Sequence, residues 1–187
     1  MVCQEAMRQA GKYLVRAVRD PADETARRGM MYAATLSGVA FGNGGCHLPH
    51  AMSYPVAGMV RDFQSFGYPT DEPICPHGMS VIVNAPAAYR FTSAAAPERH
   101  FEGAGLLGAN TADTVPAEAG EILAEHLAEM MQQTDMPNGV GGVGFDGADI
   151  DDLVAGALVQ QRLLSVSPRG VQKEDLHSIY TAALRYW

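Results

Sequence analysis

Apolar residues recur at three- and four-residue steps along most of the chain, a period that predicts helices rather than strands. From Val2 to Arg19, Ala6, Ala10, Tyr13, Leu14, Ala17 and Val18 fall on one face. Asp20-Pro21 ends that helix and opens a second, because proline suits a first helical turn and disfavours helix in the residue before it. The second helix reads through Met30, Met31, Ala34 and Leu36 to about Ala40, with a break at Gly42-Asn43-Gly44-Gly45. A third runs from Leu48-Pro49 toward Phe66, bent at Pro55. Gly67 to Pro76, with three prolines, is irregular chain. Helical pattern resumes from His77 to Ala96 around Pro86, and Pro97 starts a short helix through Leu107. The clearest stripe, Ile122, Leu123, Leu127, Met130 and Met131, lies on a helix from Pro116 to Gln133. A glycine loop from Asn138 to Gly147 leads to helices over Ala148 to Ala157 and Lys173 to Tyr186. No run alternates apolar and polar residues over strand length. The fold class expected is all-α, one helical domain over residues 1–187 without internal repeats.

Gly142, Gly144 and Gly147 match the spacing of a dinucleotide-binding glycine loop. That motif needs a strand before it, so that the turn brings backbone close to a pyrophosphate. Here Thr134-Asp135-Met136-Pro137-Asn138 precedes it, which is turn chemistry. The segment is read as an interhelical loop.

Composition narrows the function. Hydrophobic residues make up 47% and charged residues 18%, which suits a folded domain. A net charge of −8 gives no support for binding nucleic acid, which needs a surplus of Lys and Arg. Cys3, Cys46 and Cys75 are an odd number at unrelated spacings, a poor disulfide framework that fits a reducing compartment. No stretch approaches the roughly 20 apolar residues that span a bilayer. Arg8, Lys12, Arg16 and Arg19 suggest a mitochondrial presequence, but Glu5 and Asp20 interrupt it and the segment runs straight into the next helix. A structural helix is the reading, with the cytoplasm as expected compartment and the mitochondrion as the alternative in a eukaryote.

The histidines divide into two groups. His100, His126 and His177 sit among charged residues on helices, where a solvated or locally hydrogen-bonded role is expected. His47, His50 and His77 lie where a glycine- or proline-marked break meets an apolar helix. Neutral imidazole is a common ligand for divalent transition metals, and helix starts would aim His50 and His77 into one interhelical crevice. A rival metal site joins Cys46 and His50 to Cys75 and His77 as a structural zinc centre. It would make the chain a zinc-stabilised helical interaction module. The residues alone leave both readings open.

The run Gly38-Val39-Ala40-Phe41-Gly42-Asn43-Gly44-Gly45-Cys46-His47-Leu48-Pro49-His50-Ala51-Met52-Ser53-Tyr54-Pro55, followed by Pro76-His77-Gly78-Met79-Ser80, resembles the signature of iron-containing (group III) alcohol dehydrogenases. The resemblance extends through Val83-Asn84-Ala85-Pro86 and Pro97-Glu98-Arg99-His100 to Ser167-Pro168-Arg169. It implies the multi-helix C-terminal domain of the dehydroquinate synthase-like, iron-type alcohol dehydrogenase fold, without the N-terminal α/β nucleotide-binding domain. By the same resemblance, His50 and His77 match two metal ligands, Phe41 a residue near the nicotinamide, and Tyr54 a position near the reacting carbon. Tyr54 stands where many members have histidine; with Met52-Ser53 and Pro97-Glu98-Arg99-His100 it is more similar to the hydroxyacid-oxoacid transhydrogenase branch. Ala51 replaces the usual glycine, which crowds close helix packing there.

The cofactors this implies are a divalent metal (Fe²⁺ or Zn²⁺) and NAD(H). The substrates implied are a hydroxy acid and an oxo acid, with 4-hydroxybutyrate as donor and 2-oxoglutarate as acceptor. The family's other two metal ligands, an aspartate and a histidine, come from before the point where this sequence begins. Met1 would fall inside an internal helix, so the chain reads as a fragment, a truncated reading frame or one piece of a split gene. Two histidines alone are expected to bind metal weakly, and without the nucleotide-binding half no activity is expected. Arg61 is a candidate partner for a substrate carboxylate, against a solvated surface role. The face that would meet the nucleotide domain is expected to be sticky, with self-association as a homodimer.

Overall fold

The computed structural model describes all of residues 1–187. Ten α-helices form, and the sole strand-like feature is an isolated parallel bridge between Gln64 and Ile74. Helices α1 (Val2–Arg19) and α2 (Glu24–Gly44) make an antiparallel hairpin. The turn between them uses Asp20-Pro21-Ala22, and α2 starts three residues later than proline alone suggested. Asp23 sets that start by accepting a hydrogen bond from the Ala26 amide at 2.9 Å, a side-chain N-cap. Arg16 reaches across the turn to Asp23 at 2.6 Å. At its far end α2 continues through Gly42-Asn43-Gly44, where a break was expected. Asn43 donates to the Val39 carbonyl, and the helix stops only at Gly45, whose φ of 76° suits a residue without Cβ.

Helix α3 (Leu48–Gly58) is the central element. Leu48, Ala51, Met52 and Val56 are fully buried on it. It ends at Gly58 rather than near Phe66. Pro55 lies inside it, so the Ala51 carbonyl has no N–H four residues on to accept from. The segment 59–76 is irregular, pinned by the Ile74 amide donating to the Phe63 carbonyl at 2.8 Å.

The stretch from His77 to Ala96 divides at Val83-Asn84 into α4 (His77–Ile82) and α5 (Ala85–Ser93), with Pro86 in the first turn of the second helix. Helices α6 (Pro97–Leu107) and α7 (Ala119–Gln133) follow, α7 preceded by one 3₁₀ turn over Pro116–Glu118. The glycine segment then makes two 3₁₀ turns before α8 (Ile150–Leu158). Helix α9 (Gln161–Leu164), unanticipated from the sequence, and α10 (Lys173–Ala183) complete the chain.

Packing explains the layout. The main core joins α3 to Leu153, Val154 and Ala157 of α8 and to Leu176, Ile179, Tyr180 and Ala183 of α10. A smaller cluster of Ala85, Ala104, Leu123 and Leu127 sits where α5, α6 and α7 meet. The α1–α2 hairpin attaches to the body through α1 against α6. Apolar burial, at about 25 cal/mol per Å², holds α3 between these helices.

Candidate metal centre

His50 is the third residue of α3, and His77 is the first residue of α4. Pro49 and Pro76 precede them, fixing backbone φ at both helix starts. Helix α4 packs on α3, and that contact brings the two rings together from 27 positions apart. Their centroids are 5.4 Å apart with planes tilted by 53°. His50 is half-buried and His77 exposed. Burial, and next the nearby His77, pull the His50 pKa below its ordinary value, which favours the neutral imidazole that ligates metals. The paired imidazole donors, with His50 held toward its neutral form, therefore fit a divalent cation at the mouth of the α3–α4 junction.

Tyr54 lies one turn beyond His50 on α3 and is 47% exposed. Residues four apart on a helix share a face, so Tyr54 and His50 look the same way. Phe41, near the end of α2, is also exposed. A cleft of about 610 Å³ opens between the α1–α2 hairpin and the start of α3. Phe41, His47 and His50 line it, together with a floor of alanines; Tyr54 and His77 stand outside it.

The cysteines do not join this arrangement. Cys75 is buried in the main core, and burial pushes its thiol up to about 11, away from the thiolate a metal would take. No group of three or more His, Cys, Asp or Glu side chains is close enough together to hold a metal ion. The zinc site of Cys46, His50, Cys75 and His77 is therefore not assembled, because Cys75 faces the apolar interior.

Arg61 is committed elsewhere. Its guanidinium grips both carboxylate oxygens of Asp149 at 2.7 and 2.9 Å and also donates to the Gly144 carbonyl. It closes the glycine segment over α8, and that segment follows helix α7 rather than a strand.

An aromatic stack that begins at the cleft wall was not legible in the sequence. His47 meets the Tyr89 ring edge-on at 6.2 Å, and Tyr89 meets His100 at 5.8 Å. His100 is buried despite its charged neighbours, one ring nitrogen 2.8 Å from the Thr92 hydroxyl and the other 2.8 Å from the Ala96 carbonyl. His126 bonds the Leu107 carbonyl, and His177 stays exposed. The eight-residue step from Thr92 to His100, spanning a helix break, is the signal that a periodicity reading passes over.

Residues 1–184 match the model of the Fe-containing alcohol dehydrogenase family, C-terminal. The chain belongs to that family and has the helical architecture of its C-terminal domain. It is similar to hydroxyacid-oxoacid transhydrogenase, mitochondrial, of Bos taurus, with 41% identity over 182 residues, 97% of this chain and 39% of that protein. The same-named protein of Xenopus tropicalis is 41% identical over 184 residues, covering 98% of this chain and 40% of the relative. Among solved structures, an alcohol dehydrogenase from Oenococcus oeni superposes with a TM-score of 0.84 at 26% identity, over 97% of this chain and 44% of that one. The chain thus spans about two fifths of the length of the curated relatives. No helix is long and apolar enough to cross a membrane.

Proposed function

We propose that this chain is the metal-binding helical half of a hydroxyacid-oxoacid transhydrogenase. The observation that carries the reading is the convergence of His50 and His77, two imidazoles from separate helix starts with ring centroids 5.4 Å apart. The names of the relatives give the branch, and Tyr54 one turn from His50 agrees with it. His50 and His77 would hold Fe²⁺ or Zn²⁺, histidine ligands accepting either. When bound, the metal supplies Lewis acidity toward a substrate oxygen, and NAD(H) supplies the hydride carrier. This chain's part is positional: His50 and His77 fix the metal's side of the site. Tyr54 would border the reacting carbon, and Phe41 would form the wall against the nicotinamide.

The reaction supported by this reading takes 4-hydroxybutyrate and 2-oxoglutarate to succinate semialdehyde and 2-hydroxyglutarate. The partner is a nucleotide-binding half that contributes the remaining ligands. The 187 residues by themselves are expected to bind metal weakly and to show no turnover. For a eukaryotic host, the mitochondrial names of the relatives favour the mitochondrion over the cytoplasm.

The test is metal affinity of the purified chain beside His50→Ala and beside a Cys46→Ala/Cys75→Ala double variant. Weak binding that disappears with His50 and survives loss of both cysteines is expected. Binding that needs the cysteines, or that ignores His50, would remove the dehydrogenase assignment of this site.

A further inference from the structure

His47 occupies the N-cap position of α3, three residues before His50. An N-cap side chain ordinarily turns back to accept from the first free amides of its helix, but His47 makes no such bond. Its ring lies against the edge of Tyr89 instead. Nδ1 is sealed from solvent without a hydrogen-bond partner, whereas Nε2 is not sealed in. His100, the nearest polar ring beyond Tyr89, cannot serve Nδ1, because Thr92 and Ala96 engage both of its nitrogens.

This asymmetry selects a tautomer. Burying an N–H without an acceptor costs more than leaving a lone pair unused, so the proton of the neutral ring belongs on Nε2. His47 thereby presents one N–H donor, held in place by Tyr89, on the same cleft that His50 and Phe41 line.

Besides the histidines, the cleft offers an anion the hydroxyls of Ser37 and Tyr89. No Lys or Arg side chain lines it. Arg61 is tied to Asp149 and the Gly144 carbonyl. A carboxylate entering an apolar cleft must find donors, because desolvation without them is costly. We propose that His47 is a specificity-determining residue of this cleft, donating from Nε2 to the carboxylate of an acid substrate whose hydroxyl end lies toward His50. The inference rests on the transhydrogenase reading above and adds a residue that selects acids over plain alcohols.

The experiment follows the histidine ring ¹⁵N resonances of the 187-residue chain, free of metal and nicotinamide. It is titrated with 4-hydroxybutyrate and, separately, with butan-1-ol. The free chain should show His47 protonated on Nε2. The acid should shift that nitrogen saturably, and butan-1-ol should not. His47→Phe should weaken acid binding about tenfold or more, the loss of one charge-assisted hydrogen bond. His47→Gln, whose amide nitrogen reaches a similar place, should keep most of the affinity, and it decides the matter if the phenylalanine variant does not fold.

An acid that moves His50 and His77 but leaves His47 unmoved would overturn the proposal. So would an equal response to butan-1-ol, or no saturable acid binding. The two readings fail separately. Metal bound through His50 with a silent His47 keeps the dehydrogenase and discards this inference. An acid response at His47 in a chain whose metal binding ignores His50 does the reverse.

Discussion

The Tyr180 hydroxyl donates a hydrogen bond to the Met52 carbonyl at 2.8 Å, joining α10 to the middle of α3 across 128 positions of sequence. Both residues are fully buried. The bond falls one residue from Ala51, whose carbonyl lost its helical donor to Pro55, so α10 braces α3 where its own ladder is interrupted. Tyr180→Phe leaves the Met52 carbonyl short of this partner in a dry core. A loss of about 1–2 kcal/mol is expected, read from urea midpoints at unchanged slope.

Gly156 sets how closely α8 approaches the histidine helix. A Cβ added there would lie 2.6 Å from the Pro55 Cβ, and the proline ring has little freedom to yield. Gly156→Ala should therefore cost about 1–3 kcal/mol through overpacking. It should also push α3 away from α8 and shift the ring resonances of His50, while an alanine at the open position Gly147 leaves them unchanged.

The Arg61–Asp149 pair gives an acid-dependent increment of stability. Hydrogen bonds from Arg61 hold the Asp149 carboxyl down at about 2, from an ordinary 3.8. A depressed carboxylate stabilises the fold above its unfolded pKa, and that gain fades as pH falls toward the folded value. Wild type should thus exceed Asp149→Asn in urea resistance at about pH 5, with the gap narrowing toward about pH 2. Arg61 is exposed, so the increment is modest. In a two-domain enzyme carrying this chain, Arg61→Ala should leave the KM for the hydroxy acid unchanged.

Cysteine reactivity should follow burial. Cys3 is exposed, whereas Cys75 is buried with its thiol raised to about 11. An aromatic disulfide reagent at about pH 8 should label Cys3 quickly and Cys75 only on unfolding. Fast labelling of Cys75 in the folded chain would contradict its place in the core.

Local chemistry made many helix positions readable. Asp20-Pro21 marks the end of α1, and the stripe from Ile122 to Met131 marks α7. Expectation failed where tertiary contacts decide. Gly42 and Gly44 are weak helix formers, yet α2 runs through them, with Asn43 bonding back to the Val39 carbonyl in a local contact that composition does not announce. Helix α9, four residues long, is too short for a period to register; Leu163 and Leu164 stay helical there by burial in the main core. The meeting of His50 and His77 depends on α4 packing against α3, which spacing cannot encode; the helix starts suggested the pair, but only the family resemblance set it above the rival zinc site. His47 stood out as a residue at a backbone break, but its sealed nitrogen became visible only in three dimensions.

The attachment of the α1–α2 hairpin, packed on the body chiefly through α1 against α6, has a dynamic consequence. Phe41 rides on α2, which the main core does not include, while His50 rides on the helix at the centre of that core. The two walls of the cleft therefore belong to different cooperative units, and backbone amides of α2 should exchange with deuterium well before those of α3. Breathing of the hairpin should widen the cleft from one side, moving the wall beside Phe41 more than the helix that carries His50.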